Sequence, residues 1–231
     1  MEYSINPKRL GRKENNPLPS KEDNWIIRDS MTIDTNDLLN SILSSLSRID
    51  YVRPKDIPNI ELYMDQVTTF MEEQLRSTKR YEEDKILTKT MINNYSKNNL
   101  LPPPEKKKYS KGHVLLLIFI YYFKNILSIK DIETLLDPLT DRFFHADSDI
   151  SLTSIYEEVC ALEKSRIDSL IEDVKNSYTQ SQNTFQNADQ EHKELLQLFT
   201  FICTLSFDVY VKKQMIEKMI DLLPDPEKKK K

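Results

Sequence analysis

The chain has 231 residues, 39% hydrophobic and 30% charged, with a formal net charge of −4. These values exclude a disordered or fibrous chain and leave room for one large domain or two small ones. Only 2 glycines stand against 11 prolines, so there is little material for the positive-φ turns of hairpin-rich sheets, and a mainly α-helical fold is expected.

Residues 1–30 are rich in Lys, Asn, Pro and Ser without hydrophobic periodicity, and read as a flexible arm whose one apolar cluster is Trp25-Ile26-Ile27. Residues 31–84 read as an N-terminal helical segment. Thr35 stands as an N-cap before Leu38, Leu39, Ile42, Leu43, Leu46 and Ile49, which share one helical stripe. After Pro54 and Pro58 the spacing of Ile60, Met64, Val67, Met71 and Leu75 predicts a helix over 59–77, followed by a charged stretch. Short helices are predicted at 88–98 and 111–125, flanking Pro102-Pro103-Pro104, and at 128–136, where Ser128 caps and Asp131 sits in the first turn. The apolar run Val114–Phe123 is too short to span a bilayer and reads as the core of a buried helix.

Beyond Pro138 the pattern lengthens into helices at 151–178 and 190–222, separated by a polar loop or frayed helix end at 179–190. The last helix is apolar nearly all round in its middle, so burial against other helices or a second subunit is expected. Met64, Met71, Met215 and Met219 recur at helical intervals and read as core, and Phe143-Phe144 as a hydrophobic anchor. Residues 137–223 thus form a C-terminal helical region for dimerisation or sensing, and 224–231 a charged tail ending in Lys228–Lys231.

Catalytic signatures are missing. There is no glycine-rich phosphate loop, nucleophile motif or Cys/His cluster. Cys160 and Cys203 match no metal or redox spacing, and His145 and His192 have no partner spacing, while His113 reads as a cap or backbone contact. A non-enzymatic protein without metal or cofactor is expected. With no secretory leader recognised, the reading is of reduced thiols in a bacterial cytoplasm.

Charge is distributed unevenly. Residues 85–113 carry seven lysines and one acid, Glu105, whereas residues 130–175 carry twelve acids and five bases. This division suits one face for an anionic partner. The chemistry concentrates in 85–136. Thr88 can cap a helix that turns Met91, Ile92 and Tyr95 inward. Lys89, Asn93 and Lys97 recur at i, i+4 and i+8 on the outer side, with Thr90 and Asn94 beside them. Lysines suit phosphates, and asparagine amides can bond bidentately to adenine. Asn99 stands where a left-handed residue should end the helix, Leu100 and Leu101 re-enter the core, and Lys106, Lys107, Lys108 and Tyr109 form a basic loop. Those ten residues, Thr88, Lys89, Thr90, Asn93, Asn94, Lys97, Lys106, Lys107, Lys108 and Tyr109, are the candidate DNA contacts.

The segment resembles the DNA-binding domain of MerR-type regulators. Ile92 and Tyr95 stand for the family's Leu and second Tyr of the recognition helix. Asn99-Leu100-Leu101-Pro102 stands for its Gly-Leu-Leu-Pro, Tyr109-Ser110 for the end of its wing, and Ser128–Leu136 for its Ser-Leu-x-x-Ile-x-x-Leu-Leu helix. Where that family has Arg and a first Tyr, this chain has Asn93 and Asn94. More closely, Leu62–Leu136 resembles the uncharacterised bacterial family domain of unknown function 1836, through Leu62–Val67, Leu87–Tyr95, Leu101–Pro104 and Lys107–Ser110. The MerR resemblance implies a winged helix-turn-helix over 85–136, double-stranded DNA as partner, and a transcriptional regulator. A homodimer through the last helices is expected, and a small-molecule effector acting through the C-terminal region is compatible with the pattern. The alternative is a non-enzymatic helical adaptor that turns the same basic face to an acidic protein.

Overall fold

In the computed structural model, residues 35–46, 52–145 and 149–226 are described. The predicted arm at 1–30 and the run Lys228–Lys231 lie outside them. The chain divides into two units between Ser41 and Ile42. Helix α1 (Thr35–Leu46) begins at the predicted cap, and Leu39 and Leu43 of its expected stripe are buried, while Ile42 is exposed. The side chains of Leu38 and Leu46, and Ile49 altogether, fall outside the described residues.

The remainder is mainly α-helical, as composition predicts. In chain order come β1 (Leu62–Tyr63), α2 (Met64–Leu75), α3 (Lys89–Lys97), β2 (Lys108–Tyr109), α4 (Lys111–Phe123), α5 (Ile129–Phe143), α6 (Leu152–Gln182) and α7 (Gln190–Ile220). Helix α4 is the centre. Every residue from His113 to Tyr121 is buried, and a helix apolar on all faces needs neighbours on all of them. Val67, Met71 and Leu75 of α2, Ile92 and Tyr95 of α3, Ile132 and Leu136 of α5, and Leu152 and Tyr156 of α6 supply that enclosure. Beyond α4's end, Lys124 donates from Nζ to the Ile86 carbonyl at 2.8 Å and lies over the Tyr121 ring at 4.7 Å. Burial lowers the pKa of this ammonium.

Several elements depart from the sequence reading. The helix predicted over 59–77 is shorter, because Leu62 and Tyr63 are extended and pair antiparallel with Tyr109 and Lys108. Gln66 Oε1 accepts the Tyr63 N–H at 2.8 Å and starts α2 after the strand. Ile60, counted in the helical stripe, is therefore 68% exposed. Helix α5 does not stop at 136 but continues through Pro138 to Phe143. Proline offers no N–H to the Thr134 carbonyl, yet Leu135, Leu136 and Leu139 keep this stretch against the core.

Helix α6 extends to Gln182, so only 183–189 form the turn to α7, with Phe185 at φ 52°. There the Gln197 amide donates to the carbonyls of Gln182 and Thr184 at 2.8 and 3.0 Å, and Tyr178 meets Phe201 edge-on at 5.3 Å. The expected burial of α7 is not found among the described residues. Leu195, Phe199, Ile202, Phe207, Tyr210, Met215 and Met219 are each more than half exposed, so Met215 and Met219 are not core. Hydrophobicity states which surface gains from cover, and one chain supplies little for the middle of this helix.

Tyr156 holds the start of α6 to the domain edge by donating its buried hydroxyl to the Val52 carbonyl at 2.6 Å. Replacing Tyr156 with Phe leaves that carbonyl unpaired and is expected to destabilise the fold by about 1–3 kcal/mol. Urea unfolding checks this, and an unchanged midpoint would contradict it.

Candidate nucleic-acid interface

Helix α3 separates its faces as the sequence predicts. The Thr88 side chain accepts the Met91 N–H at 3.2 Å and caps the helix. Ile92 and Tyr95 are buried, Met91 is half-buried, and Lys89, Thr90, Asn93, Asn94 and Lys97 are all exposed. Burial raises the Tyr95 phenol pKa and keeps it neutral. Asn99 adopts φ 57°, the left-handed conformation expected of it. The N–H groups of Leu100 and Leu101 then both donate to the Tyr95 carbonyl, at 2.9 and 3.3 Å, which directs two leucines into the core. The outer face of α3 is therefore presented rigidly.

The basic loop is a tight turn. Lys108 N–H donates to the Glu105 carbonyl at 2.8 Å, and the two central residues, Lys106 and Lys107, have φ of 49° and 66°. A two-residue hairpin with both central residues left-handed is the type I′ arrangement, which favours Asn-Gly. Lysine has a Cβ that crowds the neighbouring carbonyl there, at roughly 1–2 kcal/mol per residue. The turn thus carries strain at both of its exposed lysines.

The pleat of β2 then divides the next pair. Lys108 points outward and Tyr109 inward, where the tyrosine is 3% exposed with its ring edge-on to His113 at 5.4 Å. Tyr109 is a core residue, not a surface contact, and burial raises its phenol pKa. The other nine candidates lie on or beside the α3 face and the turn.

Acids missed in the sequence also reach this surface. Asp65 of α2 pairs with Lys89, and Glu61 pairs with Lys108 at 3.3 Å. Each acid precedes the lysine it pairs with by more than twenty residues. The β1–β2 pairing and the packing of α2 beside α3 bring them in. Among the described residues Lys97, Lys106 and Lys107 are the face's lysines in no ion pair. The same residues contain no cluster of three or more His, Cys, Asp or Glu able to hold a metal ion.

Beneath the turn, His113 acts as the expected cap. The Ser110 N–H donates to His113 Nδ1 at 2.9 Å, and Phe144 packs edge-on against the imidazole at 4.8 Å. Gly112 permits this approach, since a Cβ there would stand 3.1 Å from the Phe144 ring. Burial lowers the His113 pKa, outweighing the carbonyls of Pro102 and Pro103 that favour the cation. Folded His113 therefore binds its proton more weakly than the unfolded chain does. Below about pH 6.5 the unfolded state takes up more protons, and acid removes stability until the lower folded pKa is passed. Gln at this third helical position can keep the capping box without titrating. Thermal unfolding of His113→Gln should show a shallower acid loss than the parent, and parallel pH profiles would contradict this origin.

Residues 52–159 match the family model described as Domain of unknown function (DUF1836), a stretch that runs from before β1 into α6. No curated protein and no solved structure matches the chain.

Proposed function

We propose that the DUF1836 domain at 52–159 reads double-stranded DNA as a MerR-like winged helix-turn-helix, and that the chain is a cytoplasmic bacterial transcriptional regulator. In this reading α2 and α3 are the helix pair, α3 enters the major groove, and the β1–β2 ribbon with its Lys106–Lys107 tip is the wing. The observation that carries the reading is that tip. Two lysines occupy left-handed positions where Asn-Gly would sit without strain, and both are exposed and, among the described residues, in no ion pair. A solvated loop gains nothing from that choice, whereas a phosphate contact does.

The roles then follow from position. Lys97, Lys106 and Lys107 meet phosphates, and Asn93 and Asn94 on the exposed face of α3 can reach adenine edges. Thr88 serves as the cap, with Thr90 beside the amides. Lys89 and Lys108 reach phosphate by exchanging Asp65 and Glu61 for it.

The double variant Lys106→Asn/Lys107→Gly separates strain from charge. It should raise the unfolding temperature while weakening binding to every duplex, and flatten the plot of log K against log salt by about two, at 0.9 per phosphate contact. Unchanged DNA affinity in the more stable variant would contradict the reading. No retention of duplex by the parent at about 50 mM salt, where nonspecific contacts are strong, would favour the acidic-protein adaptor instead.

Glu61 and Asp65 make a second, opposite prediction. Both are exposed carboxylates beside lysines of the face, and phosphate must displace them. Glu61→Gln/Asp65→Asn should tighten binding to random-sequence DNA, measured by fluorescence anisotropy. Weaker binding would mean that the acids hold the lysines in place and do not compete.

The reading includes a homodimer, since paired half-sites add affinity that one helix-turn-helix lacks. Helix α7 is its surface. The stretch His192–Ile220 is long and apolar enough to cross a membrane by length and composition. Its Gln197 amide tied to the α6–α7 turn, its Asp208, Lys212 and Lys213, and the charged α6 beside it favour cover by a second copy. The exposed apolar side chains from Leu195 to Met219 offer roughly the 800 Å² per partner of a standard interface. Sedimentation of the full chain at micromolar concentration should give a dimer. A monomer, or recovery only with membranes, would contradict this part.

A further inference from the structure

We infer that the apolar cavity lined by α4, α5 and α6 is a binding site for a compact, uncharged, largely apolar small molecule. This site does not depend on the DNA reading, because its geometry and its test involve no nucleic acid. The cavity measures about 350 Å³, at the small end of ligand pockets and far larger than the packing defects of a protein interior. Its wall is apolar and partly flat. The Phe119 and Phe123 rings lie parallel, 9° between planes with centroids 5.9 Å apart, and Ile126, Leu139 and Val159 also line the space.

Polar groups are few: Tyr122, Tyr156, Cys160 and Glu163. Tyr156 gives its hydroxyl to the Val52 carbonyl, and Cys160 is a half-buried thiol whose pKa is raised by burial. The one charged lining residue is Glu163, itself half-buried. A ligand rich in hydrogen-bonding groups, or one carrying a charge, would lose water without replacement here. An uncharged apolar ring system avoids that penalty. The position adds meaning. α4 and α5 belong to the same core as the buried side of α3, while α6 leads to the C-terminal hairpin, so an occupant would bind the two regions together.

The full chain would be titrated with the neutral fluorophore N-phenyl-1-naphthylamine. A saturable rise in emission at one site per chain is expected. Uncharged naphthalene should displace it about tenfold better than 1-naphthoate, whose carboxylate would be carried against an apolar wall. Val159→Trp fills the cavity and should abolish the signal. As this variant can fail to fold, the parent provides an independent measure. Bound dye should slow alkylation of Cys160, which lines the cavity, while leaving the exposed Cys203 unchanged. Three results would overturn the inference: non-saturable binding, equal protection of both cysteines, or loss of dye binding as rising protein concentration drives self-association. The last would assign the cavity to a second copy.

Discussion

Enclosure of α4 is the constraint on which the rest of the second unit depends. A helix buried without interruption from His113 to Tyr121 cannot be satisfied by one partner, so α2, α3, α5 and α6 are all drawn around it. Each of those helices contributes apolar residues to the core around α4 and leaves other residues for water or a partner. For α3 those other residues include Lys89, Asn93 and Lys97. The exposed face is thus a consequence of the core, positioned by Ile92 and Tyr95 beneath it and by the sharp exit at Asn99.

The β1–β2 ribbon works differently. It is only two residues long on each side, too short to be stable alone. It is held by what lies under it: Leu62 and Tyr109 in the core, His113 capping α4, and Phe144 closing over Gly112. That support lets the turn keep Lys106 and Lys107 in conformations they disfavour. The same ribbon brings Glu61 beside Lys108, while α2 brings Asp65 beside Lys89, so the face is a balance of signs and not a uniform patch.

Much of this was legible in the sequence where the governing rule is local. The caps at Thr88 and Ser128, the inward Ile92 and Tyr95, the turn at Asn99 and the capping role of His113 follow from spacing within a few residues. What escaped is non-local. A two-residue strand has no periodicity, so Leu62-Tyr63 was absorbed into a helical stripe, and with it went the inward turn of Tyr109 and the reach of Glu61. The glycine count anticipated the mainly helical fold but could not place the left-handed turns. All four positive-φ residues among those described, Asn99, Lys106, Lys107 and Phe185, are non-glycine. For α7 the pattern reported an appetite for burial correctly, but Met215 and Met219 find no cover in the single chain.

Lysine footprinting tests the central claim most directly. The full chain would be acetylated with and without random-sequence duplex at about 50 mM salt, a condition at which electrostatic contacts are strong, and the modified lysines read by mass spectrometry. The account predicts protection of Lys89, Lys97, Lys106, Lys107 and Lys108, with Lys212, Lys213 and Lys218 of α7 unaffected. Protection confined to α7, or none on the α3 face and the turn, would contradict it.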